Sequence, residues 1–328
     1  MSKLKKGYTT GVHASFVFKS ALESFLSSGS LSISKSNKME NDDLDVTKGC
    51  EIVASISQNF DDLVLNQVEQ TPQKFSYASN SIEIYAGDGV GVVTKNGLKI
   101  EPNFPAINPV PLKSLKKIFE NLVKDRKDLK LYCTIGITNG KKIAQSSANK
   151  KVGVLGGLSI LGTTGFVKPI STEAYLDSIS SEIGFIKTNN LTPLVFTIGN
   201  SSLEFAKESY SKEQIVEIGN FVYDSLEIAN SLGIKKVVLI CGIGKMTKIA
   251  QHYKNTHNRF GEIDFLTLEK WLENDLNIKL SINSINTVKE LCEKLNEKKE
   301  AFYKMVRKRA TRIIKEWFID LNVEVVVI

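Results

Sequence analysis

The 328-residue sequence predicts an α+β N-terminal domain followed by an α/β domain built on a mostly parallel sheet. Three observations carry that prediction. The chain is long for one hydrophobic core, because single cores stop growing near roughly 250–300 residues. Up to about residue 150, strands and helices mix without a regular βαβ rhythm. Beyond it, apolar runs of strand length alternate with helical stretches, the pattern of a parallel sheet covered on both faces. The domains are therefore read as residues 1–150 and 151–328.

In chain order, residues 11–26 read as a helix, with Thr9 or Thr10 as N-cap and Phe18, Leu22, Phe25 and Leu26 on one face. Residues 32–49 are polar and aperiodic, a loop or frayed hairpin. "CEIVASI" (50–56), "SIEIYAG" (81–87) and "LKLYCTIGI" (129–137) read as strands. Between the last two, "VPLKSLKKIFENLVKD" (110–125) returns to helical spacing. Further on, "KVGVLGGLSILG", "PLVFTIGN" (193–200), "IKKVVLICGIG" (234–244) and the final "VEVVVI" (323–328) read as strands of the second sheet. Residues 171–186 and 213–233 read as helices between them, the latter closed by Gly233.

Composition narrows the function. With 42% hydrophobic and 24% charged residues the chain is globular rather than disordered. No apolar run reaches the ~18–20 residues that span a bilayer, so no membrane partner is expected. His13 and Lys19 break the N-terminal apolar stretch that a signal peptide would need. Cys50, Cys133, Cys241 and Cys292 are far apart and form no C-x-x-C, which suits reduced thiols in a cytoplasmic protein. His252 and His257 are five apart, not stacked as i, i+4 zinc ligands are, and no protein-bound metal is expected.

The +7 net charge points to an anionic partner. Much of the excess lies in residues 297–317, where Phe302, Val306, Ala310, Ile313, Ile314 and Trp317 recur at helical spacing and the cations spread over the wet side. No nucleic-acid-binding signature accompanies it, so a small polyanion is favoured over nucleic acid.

Three apolar runs end in glycine with hydroxyl or amide company: "LGTTG" (161–165), "TIGNSS" (197–202) and "CGIGKMT" (241–247). Glycine lets backbone N–H groups approach a ligand, and Thr or Asn directs hydrogen bonds. The same residues also make ordinary tight turns, and both readings stay open for each loop. "GIGKMT" (242–247) has Thr247 where a dinucleotide loop needs its third glycine. A phosphate-binding loop fails too, with Leu239 at its first glycine and Met246 after the lysine.

Taken together, "GYTTGVHASFVFKSAL" (7–22), "GDGVGVVTKNGL" (87–98), "PAINPVP" (105–111) and "VGVLGGLSILGTTGFVKPIS" (152–171) resemble, in order and spacing, the CbiD family of cobalt-precorrin-5B C1-methyltransferases. "TIGN" (197–200), "CGIGK" (241–245) and "NTH" (255–257) continue the likeness, which covers about residues 4–260. The resemblance implies a Rossmann-like C-terminal domain, S-adenosylmethionine as methyl donor and a polyanionic corrin precursor as acceptor in cobalamin biosynthesis. It is compatible with a homo-oligomer. It implies substrate contacts at Tyr8, Thr9, Thr10, His13, Asp88, Thr94, Asn108, Ser159, Thr163 and Thr164. It implies cofactor contacts at Gly162, Gly165, Gly199, Asn200, Gly242, Gly244, Lys245 and His257, and singles out no catalytic residue.

The sequence departs from the family pattern at Val12-His13, Lys168, Ser202 and Cys241-Gly242. Those changes leave open a relative that binds a tetrapyrrole or S-adenosylmethionine without methyl transfer. A nucleotide- or NAD-linked enzyme is the more distant alternative.

Overall fold

The computed structural model describes residues 7–39, 47, 49–145, 147–162, 165–167, 172–280 and 285–328. The chain divides into two compact units, Met1–Thr172 and Glu173–Ile328. Residues 151–172, assigned above to the second domain, therefore belong to the first unit, and the expected break near residue 150 moves to 172. The reason is pairing: the glycine-rich segment makes its hydrogen bonds with first-unit strands. The fold is mixed α/β with several sheets, including a four-stranded one whose neighbours are all parallel.

The first unit opens with β1 (Gly7–Tyr8), α1 (Thr10–Ser28), β2 (Ser32–Asn37) and β3 (Glu51–Ser57). It continues through β4 (Gln73–Tyr77), β5 (Asn80–Ala86), β6 (Gly89–Val90), β7 (Val92–Val93), α2 (Pro109–Val123) and β8 (Lys130–Ile137). It closes with α3 (Gly140–Ala144), β9 (Val154–Leu155), β10 (Gly157–Leu158) and β11 (Phe166–Val167). A five-stranded sheet, ordered β2-β3-β8-β5-β4, carries the core. Alternating residues Ile52, Ala54 and Ile56 of β3, Ile82 and Ile84 of β5, and Cys133 and Ile135 of β8 bury one face. Against them α1 packs Val17, Phe18 and Leu22, and α2 packs Leu115 and Phe119. At ~1.5–3 kcal/mol for each large apolar side chain buried, this face dominates the unit's stability.

Two readings change here. The polar stretch 32–49 holds a regular strand, β2, antiparallel to β3; its inward Ser32 and Ser34 and outward Ile33 hide the alternation from a hydropathy reading. β5 and β8 are parallel and joined through α2, so this half contains one βαβ crossover after all.

Around that sheet, two-residue strands knit the motif segments together. β10 pairs in parallel with β6, β7 pairs with β9, and β1 pairs with β11. Of the expected strand run 151–162, Val154–Leu155 and Gly157–Leu158 are strand; Leu161 is exposed. Three backbones meet where β6, β10 and the start of α3 touch. A Cβ on Gly89 would stand 1.9 Å from the Ile137 carbonyl oxygen, and one on Gly157 would stand 2.2 Å from that of Gly89.

The second unit runs α4 (Thr172–Thr188), β12 (Leu194–Ile198), α5 (Asn200–Lys207), β13 (Ile215–Glu217) and α6 (Val222–Ser231). β14 (Lys236–Cys241), α7 (Ile243–Ala250), α8 (Phe265–Leu276), α9 (Val288–Leu295), α10 (Lys299–Trp317) and β15 (Asn322–Val327) follow. Its sheet is ordered β13-β12-β14-β15, every neighbour parallel. β12 is buried along its whole length, which fits a sequence apolar but for Thr197. The expected helix 213–233 is two elements. Ile215 and Val216 enter the sheet, Gly219 at φ 56° turns the chain, and α6 begins at Val222. Gly233 at φ 74° then ends α6, its N–H on the Asn230 carbonyl and that of Ile234 on Ala229, a Schellman closure. α10 is amphipathic as expected, burying Phe302, Val306, Ala310, Ile313 and Ile314.

Among the described residues, no helix is long and apolar enough to cross a membrane. The four cysteines are buried and in no disulfide.

The glycine contacts separate space from conformation. Gly89 (φ 77°) is crowded, whereas Gly199 (φ 90°) has nothing within 4 Å of a Cβ. Gly89→Ala is expected to lose more than ~3 kcal/mol of unfolding free energy, from strain plus overpacking. Gly199→Ala should lose about 1–3 kcal/mol, from its positive-φ, extended-ψ backbone alone (φ 90°, ψ 163°), a conformation essentially confined to glycine. Urea titrations of the two variants measure the difference.

Candidate functional site

In the first unit the predicted acceptor residues come together, but mostly as scaffold. The Gly11 N–H donates to the Leu161 carbonyl at 2.8 Å, and the Thr9 N–H to that of Gly165 at 3.1 Å. The Thr10 hydroxyl donates to the Leu161 carbonyl (3.2 Å) and accepts from the Leu161 N–H (2.8 Å). Thr9 caps α1 by accepting from the Val12 N–H. Ile160 donates to the Ala106 carbonyl at 2.8 Å, and Asn108 donates back to that of Ile160 at 3.0 Å. The motif segments around residues 8, 89, 107 and 160 thus form one hydrogen-bonded knot.

Glycine fits the loop for a steric reason. A Cβ on Gly162 would lie 2.4 Å from the Thr9 hydroxyl, and Gly165 turns at φ 81°. Thr94 spends its N–H and its hydroxyl on the Gly153 carbonyl, at 2.7 and 2.9 Å. Ser159 accepts from the Asn149 amide at 3.3 Å. Thr163 and Thr164 lie outside the described residues.

His13 is buried, with both ring nitrogens engaged. Nδ1 is 2.9 Å from the Ser36 hydroxyl, and Nε2 accepts from the Met39 N–H at 3.4 Å. That pattern places the proton on Nδ1 and ties α1 to the end of β2. Desolvation, then the nearby Lys38 ammonium, hold its pKa below the usual 6.5. More open groups are Tyr8, edge-on to the His13 ring at 6.3 Å, and the exposed Asp88 carboxylate. Asp88 meets the Lys141 ammonium at 2.9 Å, a surface pair of small energetic weight. The half-buried Asn108 precedes α2 without capping it through its side chain. Asn66, not anticipated from sequence, spans the knot by donating to the Val90 and Gly156 carbonyls at 2.7 and 2.9 Å. An isolated asparagine between apolar runs gives no sequence signal for that.

Of the predicted cofactor residues, Gly199, Asn200, Gly242, Gly244 and Lys245 stand at the carboxyl ends of the second unit's parallel strands, whereas Gly162 and Gly165 belong to the first unit and His257 to a separate turn. β12 leads into Gly199 and α5; β14 leads into Gly242 and α7. Chain order 12, 13, 14, 15 maps onto sheet order 13-12-14-15, so the connections reverse direction between β12 and β14. Ligands of open parallel sheets bind at that reversal, outside the carboxyl ends. Helices α5 and α7 both start there; at α7 the Ile243 N–H donates to the Ile328 carbonyl at 3.2 Å and the Lys245 N–H to that of Gly242 at 3.1 Å. A Cβ on Gly199 or on Gly244 would meet nothing within 4 Å. Just inside, the Thr197 hydroxyl is the one fully buried side-chain polar atom without a partner among the described residues.

Lys245 donates to the Asn220 side-chain oxygen at 3.1 Å, which also accepts from the Thr256 hydroxyl at 2.9 Å. This ties the end of β13 to α7 and to the "NTH" segment; sequence reading singled out Lys245 and missed Asn220. Desolvation lowers the Lys245 pKa, against the neighbouring Cys241. Burial pushes the Cys241 thiol up to about 12 despite Lys245, so thiolate chemistry at neutral pH is absent there. His257 is exposed, and its Nδ1 accepts from the Arg259 N–H at 3.1 Å, capping a short turn. No cluster of three or more metal-ligating side chains occurs among the described residues.

A family model described as CbiD matches residues 27–169. A cobalt-precorrin-5B C(1)-methyltransferase of Methanococcus maripaludis is 32% identical over 297 residues, which are 88% of this chain and 78% of that protein. The chain belongs to the CbiD family. A Clostridium perfringens protein of the same name is 36% identical over 269 residues, 80% of this chain and 73% of its own. The crystal structure of a cobalamin biosynthesis protein (cbiD) from Archaeoglobus fulgidus aligns over 99% of this chain and 87% of its own, at 17% identity and TM-score 0.36. Within this CbiD-family chain the model match takes in the knot segments at 87–98, 105–111 and 152–169; the strand-end glycines of the second unit lie beyond it.

His13 sets a pH dependence. Its folded pKa lies below 6.5, so below that pH the unfolded chain binds more protons than the folded one. Unfolding free energy is therefore expected to fall as pH drops from 7 toward 5. In His13→Gln that slope should flatten by up to one proton, read from denaturant titrations at each pH.

Proposed function

We propose that this chain transfers the methyl group of S-adenosylmethionine to C1 of cobalt-precorrin-5B. Family membership supports the reaction, and the strand reversal between β12 and β14 supports a place for the donor. S-adenosylmethionine would lie at Gly199–Asn200 and Gly242–Lys245, its polar groups on the first-turn N–H groups of α5 and α7. This placement rests on a Rossmann-like reading of the second unit, which its parallel order favours. Tyr8, Asp88 and Asn108 are the first-unit groups with side chains open enough to contact the acceptor. Thr9, Thr10, Thr94 and His13 would support them from behind.

The chemistry needs alignment more than acid or base. An electron-rich ring carbon attacks the sulfonium methyl in line with the departing sulfur; the new C–C bond forms as the C–S bond breaks. Holding the two reactants in register can contribute ~7–11 kcal/mol to such a step. A site of backbone and amide groups suits it, since the sulfonium loses its charge on transfer.

Gly244 gives the sharpest test. It sits in the first turn of α7 with open space around it, so Gly244→Leu should hold or raise stability by up to ~1 kcal/mol. The same change should weaken S-adenosylmethionine binding at least tenfold in calorimetry, because the added side chain fills the ligand's place. Unaltered affinity in a stably folded variant removes the placement. Binding without label transfer from radiolabelled donor to cobalt-precorrin-5B removes the activity.

A further inference from the structure

The basic helix is not accounted for by the donor site. Two of the seven cations of α10 are held by carboxylates. Arg309 donates Nε and Nη2 to the Asp275 carboxylate at 2.9 and 2.5 Å and stacks over Trp271 at 4.3 Å. Arg312 pairs with Glu316 at 3.2 Å. These residues occupy the second half of the helix. In the first half Lys299 lies over the Tyr303 ring at 5.3 Å, while Lys304 and Arg307 have no ion pair among the described residues. Lys304 and Arg307 are one turn apart and share a face.

That face is not bare surface. Lys299, Tyr303, Lys304 and Arg307 line a cleft of about 470 Å³ closed on its other side by Val327 and Ile328. Glu297 and Glu300 stand at its helix-start end, so its positive end is Lys304 and Arg307. The topology fixes where the cleft opens. α10 leads through a short connection into β15 and packs along it, so the helix start lies level with the strand's carboxyl end. β15 is parallel to β14, and the Ile243 N–H at the start of α7 donates to the Ile328 carbonyl at 3.2 Å. The cleft therefore opens on the same edge of the sheet as the loops at Gly199 and Gly242. Strands are spaced ~4.8 Å apart, so it lies about 10 Å from the end of β12.

We propose that this cleft is a carboxylate-binding subsite for the acceptor, with Lys304 and Arg307 taking peripheral carboxylates of a polycarboxylate macrocycle. The assignment rests on the activity proposed above. A guanidinium forks onto a carboxylate, and an ammonium beside it adds a second point charge. Tyr303, with the Lys299 ammonium over its ring, walls the cleft and leaves the other two cations for the ligand.

The test uses the full chain with Lys304→Gln and Arg307→Gln combined, both at exposed positions. Uroporphyrin, an octacarboxylate macrocycle, serves as the binding probe by absorbance titration, and cobalt-precorrin-5B as substrate. The double variant should bind uroporphyrin roughly tenfold more weakly and show a similar rise in KM for cobalt-precorrin-5B, with KM for S-adenosylmethionine unchanged. Exchanging the two charges, Lys304→Arg with Arg307→Lys, should recover most of the affinity. Lys308→Gln with Lys315→Gln, outside the cleft, should leave it as it was. Equal uroporphyrin affinity in the Gln variant, no binding by the unmodified protein, or a parallel rise in KM for S-adenosylmethionine overturns the subsite. Charge-dependent uroporphyrin binding in a protein that transfers no methyl group overturns the activity instead, and the subsite stands.

Discussion

Five residue pairs, Leu194↔Val237 through Ile198↔Cys241, hold β12 parallel to β14 although α5, β13 and α6 lie between them in the chain. On that pairing the rest of the second unit depends. It forces the connection from β13 to pass back beyond β12, so α5 and α7 start side by side from neighbouring strand ends. A slip of β12 by one residue would turn Val195 and Thr197 to the opposite face, into packing shaped for Leu194, Phe196 and Ile198. Both faces of β12 are buried, which makes the register costly to change. The room about Gly199 and Gly244 thus comes from topology more than from any one side chain.

The first unit answers a different constraint. Four motif segments must approach one another closely enough for backbone-to-backbone bonding, and Gly89, Gly157 and Gly162 permit contacts that a Cβ would forbid. The hydroxyls beside them complete the same network. Thr10 both donates to and accepts from Leu161, and Thr94 doubles the bond to Gly153. Hydroxyls committed in this way fix geometry to a fraction of an ångström and have little hydrogen-bonding capacity left for a ligand.

Legibility in the sequence followed the range of the interactions. Strands with clean alternation, such as β3 and β5, and helices with a clear apolar stripe, such as α2 and α10, could be read from local pattern. β2 could not, because serines face inward where apolar residues are expected. The 213–233 stretch misled because Ile215 and Val216 fit a helical period as well as a buried strand, and only the sheet decides. Segment 152–160 has the apolar texture of the second half but pairs with β6 and β7, a long-range choice that local texture does not encode. Glycine-rich turns were visible, yet whether each serves a ligand or a neighbouring backbone depends on what fills the missing Cβ position. Asn66 and Asn220 organise their surroundings through partners far away in sequence, so nothing local marks them.

A basic protein that handles a sulfonium faces an electrostatic conflict, and the layout of the second unit bears on it. Two like charges 4 Å apart repel by ~1–4 kcal/mol at the dielectric of water or of a protein surface. An ammonium beside the donor's sulfur would therefore weaken donor binding. Lys245, at the start of α7, donates its ammonium to the Asn220 side-chain oxygen at 3.1 Å, which fixes where that charge stands. The unpaired cations of α10 stand two strands away, about a Debye length at physiological salt. At that distance repulsion of a sulfonium is largely screened, while a carboxylate in direct contact with Lys304 or Arg307 still gains a charge-assisted hydrogen bond. With the donor and acceptor sites proposed above, short-range attraction for the acceptor and weak long-range repulsion for the donor would coexist along one edge of the parallel sheet β12, β14 and β15.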